Sequence, residues 1–217
     1  MRILFILIIP LFLDASPGEP SYYAVLRPVV VQLDSINDPL TCRELANTCD
    51  RILAQVQDEW LPYFYRSFAY IHLGYMTEDE REKDRLLDEA QKSFNEALAL
   101  GPEESEVILL EALISYGRME INPMARAPKC LSIASKALER AKSLNPENPR
   151  IYYLEAKTTL NKPAFMGGGY EEALPVFETA MSYYKTKVAP YDLFPHWGFK
   201  DASRLYHECQ EKTMQNN

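Results

Sequence analysis

The sequence predicts an all-α protein, an α-α superhelix of about three to four helical hairpins with a C-terminal capping helix. A pattern of alanines around one larger apolar residue occurs three times, and its first two copies, which begin at Ala90 and Ala134, are 44 residues apart. A fixed period of roughly 20–50 residues is typical of stacked repeat units. Apolar residues recur at helical spacing, and no segment keeps the alternation of a strand.

The repeated pattern places two small residues and one large residue on a single helix face. Its copies are Ala90–Phe94–Ala97, Ala134–Leu138–Ala141 and Ala173–Phe177–Ala180. Pro102 and Pro146, again 44 residues apart, follow the first two copies and are expected to end those helices. The recurrence indicates duplicated units whose helices approach closely at the alanines.

Residues 1–15 are predicted to be a secretory signal peptide. Arg2 precedes an uncharged apolar stretch over 3–13, and a small-residue exit follows before Pro17. This stretch is too short for a bilayer, which needs roughly 20 residues. We therefore expect an exported protein, periplasmic or extracellular, with no stable membrane span after cleavage and with a linker over 16–21.

The N-terminal region over 22–59 is expected to hold two helices, and a degenerate repeat there is an open alternative. Pro28 is predicted to lie in the first turn of a short helix through Leu33. Asp38 and Pro39 then read as the N-cap and first residue of a helix that ends near Gln57.

Residues 60–190 are expected to form the repeats. The predicted helices cover about 61–75, 77–100, 106–116, 129–144, 150–160 and 170–185. Asn122–Pro123 and Ala127–Pro128 predict a loop, as do Pro163 and three glycines within 161–169. Residues 191–217 should supply a cap helix over about 200–212 and a tail.

Charge and cysteine content restrict the function. The net charge is −8 and no basic stripe is visible, so nucleic acid is not an expected partner. Cys42 and Cys49 should share one helix, too far apart to bridge each other. Buried free thiols are the expected state of the four cysteines. A disulfide between Cys130 and Cys209 is the open alternative.

These features resemble the tetratricopeptide repeat (TPR) family of helix–turn–helix units. In that family the alanines allow neighbouring helices to approach closely. The resemblance implies the same role for the alanines of the three copies above. The unit here is about ten residues longer than the usual 34, with the excess at 77–86, 119–129 and 161–169. The resemblance implies protein or peptide binding, with the partner unidentified.

A narrower resemblance is to exported TPR proteins of Gram-negative bacteria, especially the Bacteroidota. It rests on Gly167–Gly168–Gly169 before the last repeat helix and on Pro195–His196–Trp197–Gly198. A periplasmic repeat component of some transport systems is a more distant likeness. This more distant likeness implies an alternative function, as an accessory component of a transport system that binds a small ligand or a substrate-binding protein.

The first helix of each unit is expected to form the inner, concave face. The candidate binding-groove residues are Tyr65, Ala69, His72, Leu109, Leu113, Tyr116, Tyr153, Lys157 and Leu160. A register shifted by one residue would substitute Arg66 and Tyr70 in the first unit. A groove filled by the protein's own N- or C-terminal segment is the open alternative.

No catalytic, cofactor or metal site is predicted. The three histidines have no partner at metal-ligand spacing, and no serine or cysteine lies in a nucleophile-elbow pattern. The glycine triplet follows no strand and precedes no Lys-Ser/Thr, so it does not read as a phosphate loop. We expect a scaffold without catalytic activity, and an enzyme is the unlikely alternative.

Overall fold

The computed structural model describes residues 20–31, 38–101, 104–187, 189–190 and 192–216. Across these ranges the chain forms nine α-helices, one 3₁₀ turn (Ala164–Met166) and no strand. The helices are α1 Tyr23–Val30, α2 Pro39–Leu53, α3 Trp60–Met76, α4 Glu80–Leu100, α5 Ser105–Ile121, α6 Pro123–Leu144, α7 Pro149–Asn161, α8 Tyr170–Thr186 and α9 Phe199–Asn216. The predicted signal peptide, most of the linker and Pro102 lie outside the described residues.

Successive helices pack as hairpins, which confirms the predicted helical superhelix. α3 pairs with α4, α5 with α6 and α7 with α8, while α9 packs on α8 as a cap. α2 packs on α3, and the first helices of two neighbouring hairpins, α3 and α5, also touch. None of the helices in the described ranges is both long and apolar enough to cross a bilayer.

The repeated alanines lie in the seams between these helices. The six alanines of the three copies are each no more than 1% exposed. The larger residues between them, Phe94, Leu138 and Phe177, are also buried. Small side chains at the seams let the helix backbones come close, which accounts for the recurrence of the pattern.

Ala141→Phe should lower the free energy of unfolding by about 1–3 kcal/mol or more, because the seam has no room for a ring. Ala125→Phe is the matched control, since Ala125 is exposed on the same helix and should change stability by less than about 0.5 kcal/mol. Urea denaturation of both variants tests this prediction, and equal stabilities would contradict it.

Some helix boundaries differ from the predicted ones. The helix around Pro28 starts earlier, at Tyr23, so Pro28 lies inside it rather than in its first turn. The predicted loop around 122–128 is helical: Asn122 caps α6 by accepting a hydrogen bond from the Ala125 amide at 3.1 Å, and Pro123 is its first residue. A proline at a helix start is compatible with the helix, which explains Pro123, whereas Pro128 lies inside α6.

The other predicted helices are found with small shifts of their ends. Asp38 caps α2 by accepting a hydrogen bond from the Thr41 amide at 2.9 Å, as predicted. The helix predicted over about 106–116 begins at Ser105 and continues to Ile121. The extra length of each unit therefore appears mostly as longer helices, with 161–169 as the main loop.

The segment between α8 and α9 crosses the inner face of the array. We call its described residues 192–198 the crossing segment. Tyr65 of α3 donates a hydrogen bond to the Leu193 carbonyl at 2.8 Å. Further along, the Trp197 ring lies 5.6 Å from the Phe68 ring of α3. The predicted alternative of a self-filled groove thus holds for part of the concave face.

Candidate functional site

A central cavity of about 920 Å³ remains beside the crossing segment. It lies between the C-terminal parts of α3, α5 and α7 and the start of α9, with α6 and the loop after α7 at its mouth. Ligand pockets of proteins typically measure roughly 300–1,000 Å³, so this one is large enough for a sizeable organic molecule. Its lining residues are Phe68, His72, Tyr75, Leu113, Tyr116, Met119, Glu120, Leu131, Tyr153, Leu154, Lys157, Thr158, Asn161, Lys162, Pro163, Met166, Trp197, Gly198, Lys200, Asp201 and Arg204.

The inner wall of the cavity is aromatic. Phe68, His72 and Tyr75 lie on one face of α3, with the His72 ring 4.4 Å from Phe68 and 6.1 Å from Tyr75. Trp197 continues this wall and meets the Tyr153 ring edge-on at 6.3 Å. Rings that hold one another in this tilted and edge-on arrangement form a rigid aromatic wall suited to an apolar ligand.

Gly198 allows the crossing segment to enter α9 at this wall. Its φ is +91°, a left-handed conformation that side chains rarely adopt, and a Cβ there would lie 2.8 Å from the Tyr184 hydroxyl. The chain can therefore pass close to the rings of Tyr153 and Tyr184 only with glycine at this position.

The tyrosine hydroxyls at the cavity are engaged in hydrogen bonds. Tyr75 donates to the Leu113 carbonyl at 2.6 Å, and Tyr153 donates to Asp201 at 2.7 Å. Tyr116 shares a 2.8 Å bond with Thr158. Burial raises the pKa of all three phenols above the ordinary value, so they stay protonated near neutral pH.

His72 contributes a neutral imidazole to the wall. Burial, together with the smaller effect of the nearby Lys157 ammonium, lowers the pKa of His72 to about 4. Because the ring is uncharged near neutral pH, it can pack against an apolar ligand or offer a nitrogen to a metal ion. The phenols, being protonated, are poorer metal ligands than this imidazole.

Charged side chains surround the cavity mouth. The four cations Lys157, Lys162, Lys200 and Arg204 are exposed there, against the two carboxylates of Glu120 and Asp201. We call these four cations the basic rim. The lining therefore has two more positive than negative charges, although the whole chain has a net charge of −8.

A buried ion pair lies behind the aromatic wall. Arg150 of α7 donates to Glu106 of α5 at 2.9 Å, and both residues are less than 10% exposed. The same guanidinium donates to the carbonyls of Pro195 and Trp197, at 2.6 and 3.1 Å. Arg150 thereby ties the crossing segment to two inner helices and fixes the backbone of Trp197.

Glu106 has further polar neighbours in this buried region. Asn148 donates to Glu106 Oε1 at 2.7 Å. Glu106 Oε2 and Trp197 Nε1 are buried without a hydrogen bond that meets normal geometry among the described residues. Burial raises the pKa of Glu106, and the Arg150 guanidinium is the largest of the influences that oppose this rise.

The structure separates the predicted groove residues into two groups. His72, Leu113, Tyr116, Tyr153 and Lys157 line the central cavity. Outside that lining are Tyr65, Ala69, Leu109 and Leu160, of which the first three are fully buried and Leu160 is partly buried.

On α3 and α5 the cavity lies about one helical turn nearer the C-terminal ends than the sequence predicted. The crossing segment covers Tyr65 on the N-terminal side, which leaves the later turns open. The register shifted by one residue, which would place Arg66 on the inner face, is not found. The Arg66 guanidinium instead donates hydrogen bonds to Asp50 of α2 and to Ser93 of α4, each at 2.6 Å.

Sequence reasoning missed several lining residues. Phe68 and Tyr75 flank His72 at i−4 and i+3, a spacing that could have identified them as one face of α3. Trp197 and the basic residues of α9 had no such signal, because they lie in the crossing segment and the cap helix rather than in the repeats.

The cysteines play no part in the site. All four are buried and free, which agrees with the expected thiols and leaves Cys130 and Cys209 unbridged. Burial raises the pKa of the Cys42 thiol to about 12 and raises that of Cys49 as well. No cluster of three potential metal ligands occurs within the described ranges.

Comparison with solved structures finds a match over nearly the whole chain. The HusA haemophore from Porphyromonas gingivalis is 32% identical, with a TM-score of 0.78 over 92% of this chain and 97% of that one. A thermophilic TPR protein from Thermus thermophilus is 20% identical, with a TM-score of 0.52 over 88% of this chain and 91% of that one. The second match supports the repeat fold alone. Neither the protein-family models nor the curated proteins give a match.

Proposed function

The chain belongs to the family of the HusA haemophore, and we propose on that basis that it is an exported protein that binds haem or a related porphyrin. The observation that carries the proposal is the central cavity, large enough for such a molecule and walled on one side by aromatic rings. Stacking on rigid aromatic side chains is how proteins hold flat apolar ligands. The proposed role needs binding and release, without a catalytic step.

Three features of the cavity support a porphyrin. Phe68, Trp197 and Tyr153 present ring surfaces to its interior. Leu113 and Leu131 add an aliphatic surface on α5 and α6. The mouth is open to solvent and basic, so a ligand with charged edges could enter and leave without a large change of fold.

Tryptophan fluorescence offers a direct test, because porphyrins quench tryptophan emission by energy transfer. The chain has two tryptophans, and only Trp197 lines the cavity. In a Trp60→Phe variant, Trp197 is the single reporter, and titration with ferric haem should quench it saturably at one equivalent. Linear, non-saturating quenching would contradict the proposal.

Leu131→Glu should weaken porphyrin binding about tenfold or more, because it sets a carboxylate against the apolar ligand. Leu144→Glu is the matched control: the two leucines lie on the same helix and are 39% and 37% exposed, but only Leu131 lines the central cavity. Absorbance titration with metal-free protoporphyrin gives both affinities. Equal affinities would exclude this cavity as the site.

Protein binding through the inner face is the second candidate. Phe165 and Met166 are 88% and 64% exposed in the 3₁₀ turn at the cavity mouth, and exposed apolar residues are common at docking surfaces. Capture from periplasmic extract with wild-type protein and with Phe165→Ser/Met166→Ser tests it. Recovery of the same proteins in equal amounts would remove this candidate.

A further inference from the structure

We infer that the basic rim binds carboxylate groups of the ligand, so that the cavity selects planar amphiphiles with an apolar body and carboxylates at one edge. This inference rests on the proposed function and adds a chemical class and an orientation to it. It arises from the positions of the four rim cations and from the partners of the two acids beside them.

The rim cations come from two neighbouring elements. Lys157 and Lys162 belong to the last turns and C-cap of α7, and Lys200 and Arg204 lie four residues apart at the start of α9. Residues four apart project from the same face of a helix. Both elements therefore present cations to one side of the cavity mouth.

The two acids of the lining already have partners. Asp201 accepts hydrogen bonds from Arg204 at 2.6 Å and from the Tyr153 hydroxyl at 2.7 Å. Glu120 pairs with Lys83 at 3.0 Å, outside the rim. Neither acid is left to neutralise Lys162, whose side chain has no acidic partner within the described ranges.

Lys162 is held at the rim by the fold of its loop. The Gly169 and Lys162 amides both donate to the Thr159 carbonyl, at 3.2 and 3.1 Å. A Cβ at Gly168 would lie 2.2 Å from the Lys162 carbonyl oxygen, so only glycine lets the loop fold back this closely. The glycine triplet thus positions a cation.

The side of the cavity formed by α5 and α6 is mainly apolar. Leu113 and Met119 of α5 and Leu131 of α6 line it, and its one carboxylate, Glu120, is paired with Lys83. A porphyrin with two carboxylates on one edge would therefore place that edge toward α7 and α9 and its apolar edge toward α5 and α6. A planar ligand without carboxylates would bring no anionic partner to Lys162.

The experiment compares protoporphyrin, which has two carboxylates, with its diamide, in which both groups are neutral. The test variant is Lys162→Gln/Lys200→Gln. The matched control, Lys136→Gln/Lys185→Gln, removes the same charge from exposed lysines of α6 and α8 away from the cavity. Circular dichroism and thermal melting of each variant confirm that it is folded.

We expect wild type to bind protoporphyrin more tightly than the diamide. The rim variant should lose roughly 5- to 30-fold in affinity for protoporphyrin, as expected for two exposed ion pairs. Its affinity for the diamide should stay within about twofold of wild type, and added salt should narrow the difference between the two ligands. The control variant should keep wild-type affinity for both.

The outcomes distinguish this inference from the proposed function. Two outcomes would show that the rim does not recognise carboxylates, although the protein still binds porphyrins. In one, wild type binds both ligands equally tightly; in the other, the rim variant and the control variant lose the same affinity for protoporphyrin. If wild type binds neither ligand, the proposed function fails and this inference fails with it.

Discussion

Arg150→Met should lower the free energy of unfolding by about 3–5 kcal/mol, the usual cost of removing one partner from a buried ion pair. Glu106 is 2% exposed and would be left as a buried carboxylate without its cation. The substitution also removes the hydrogen bonds from Arg150 to the Pro195 and Trp197 carbonyls. Urea denaturation measures the loss, with Arg43→Met, an exposed arginine of α2, as control.

The loss should depend on pH in a specific direction. Burial raises the pKa of Glu106, and Arg150 is the strongest influence that lowers it. Without Arg150 the native carboxyl should bind a proton more readily than the unfolded one, so stability should fall as pH rises through the raised pKa. The deficit of Arg150→Met should therefore be larger at about pH 8 than at about pH 5. A deficit that grows toward acid pH would contradict this account.

Arg150→Met should also weaken porphyrin binding, because it loosens the backbone at Trp197. A second variant, Glu106→Met/Arg150→Met, separates the effect of the unpaired Glu106 charge from the loss of the hydrogen bonds that hold the crossing segment. It removes the stranded carboxylate and should recover part of the stability, since an apolar pair can replace a buried ion pair. It should not restore the bonds to the crossing segment. Full recovery of both stability and binding would show that Arg150 does not position the wall.

Wild-type protein should lose up to about 3 kcal/mol of stability as pH falls from about 6.5 to about 4, because of His72. The native pKa of His72 is about 4, below the ordinary 6.5, so within this window the unfolded chain binds a proton that the folded chain excludes. Stability contributed by His72 is therefore present above 6.5 and is lost on acidification. Water in the open cavity makes this figure an upper bound.

Two variants isolate the contribution of His72. His72→Gln should flatten the dependence of stability on pH between about 4 and 6.5, whereas His207→Gln on the exposed surface of α9 should keep it. Of the charged groups that line the same cavity, Lys157 acts in the same direction as burial. Asp201 has a lowered pKa, so its own contribution is lost only below about 3.8. Equal slopes in wild type and His72→Gln would contradict this assignment.

The hairpin stack was predictable because its causes are local in sequence. Ala97, Ala141 and Ala180 recur beside larger apolar residues, and each copy signals a close seam without knowledge of the rest of the chain. Proline was the weaker guide. The sequence around Pro123 predicts a loop, but Pro123 starts α6, because a proline that opens a helix and one that ends it look alike without the cap geometry.

The cavity was predictable only in part. His72, Tyr116 and Tyr153 follow from the helical register of the inner helices. The path of the crossing segment does not, because the contact between Leu193 and Tyr65 joins residues 128 positions apart. That contact covers one part of the inner face and determines which turns stay open, so the position of the site depends on tertiary packing that no local pattern reveals.

The crossing segment has a consequence for cooperativity. In an ordinary repeat array each unit touches only its neighbours, so such an array can fray from either end. Here Leu193 and Trp197, near the end of the chain, contact Tyr65 and Phe68 in the first full hairpin. The linear array is thereby closed into a loop of contacts, so the last hairpin cannot detach without exposing the first, and the aromatic wall is complete only when the crossing segment has packed on α3.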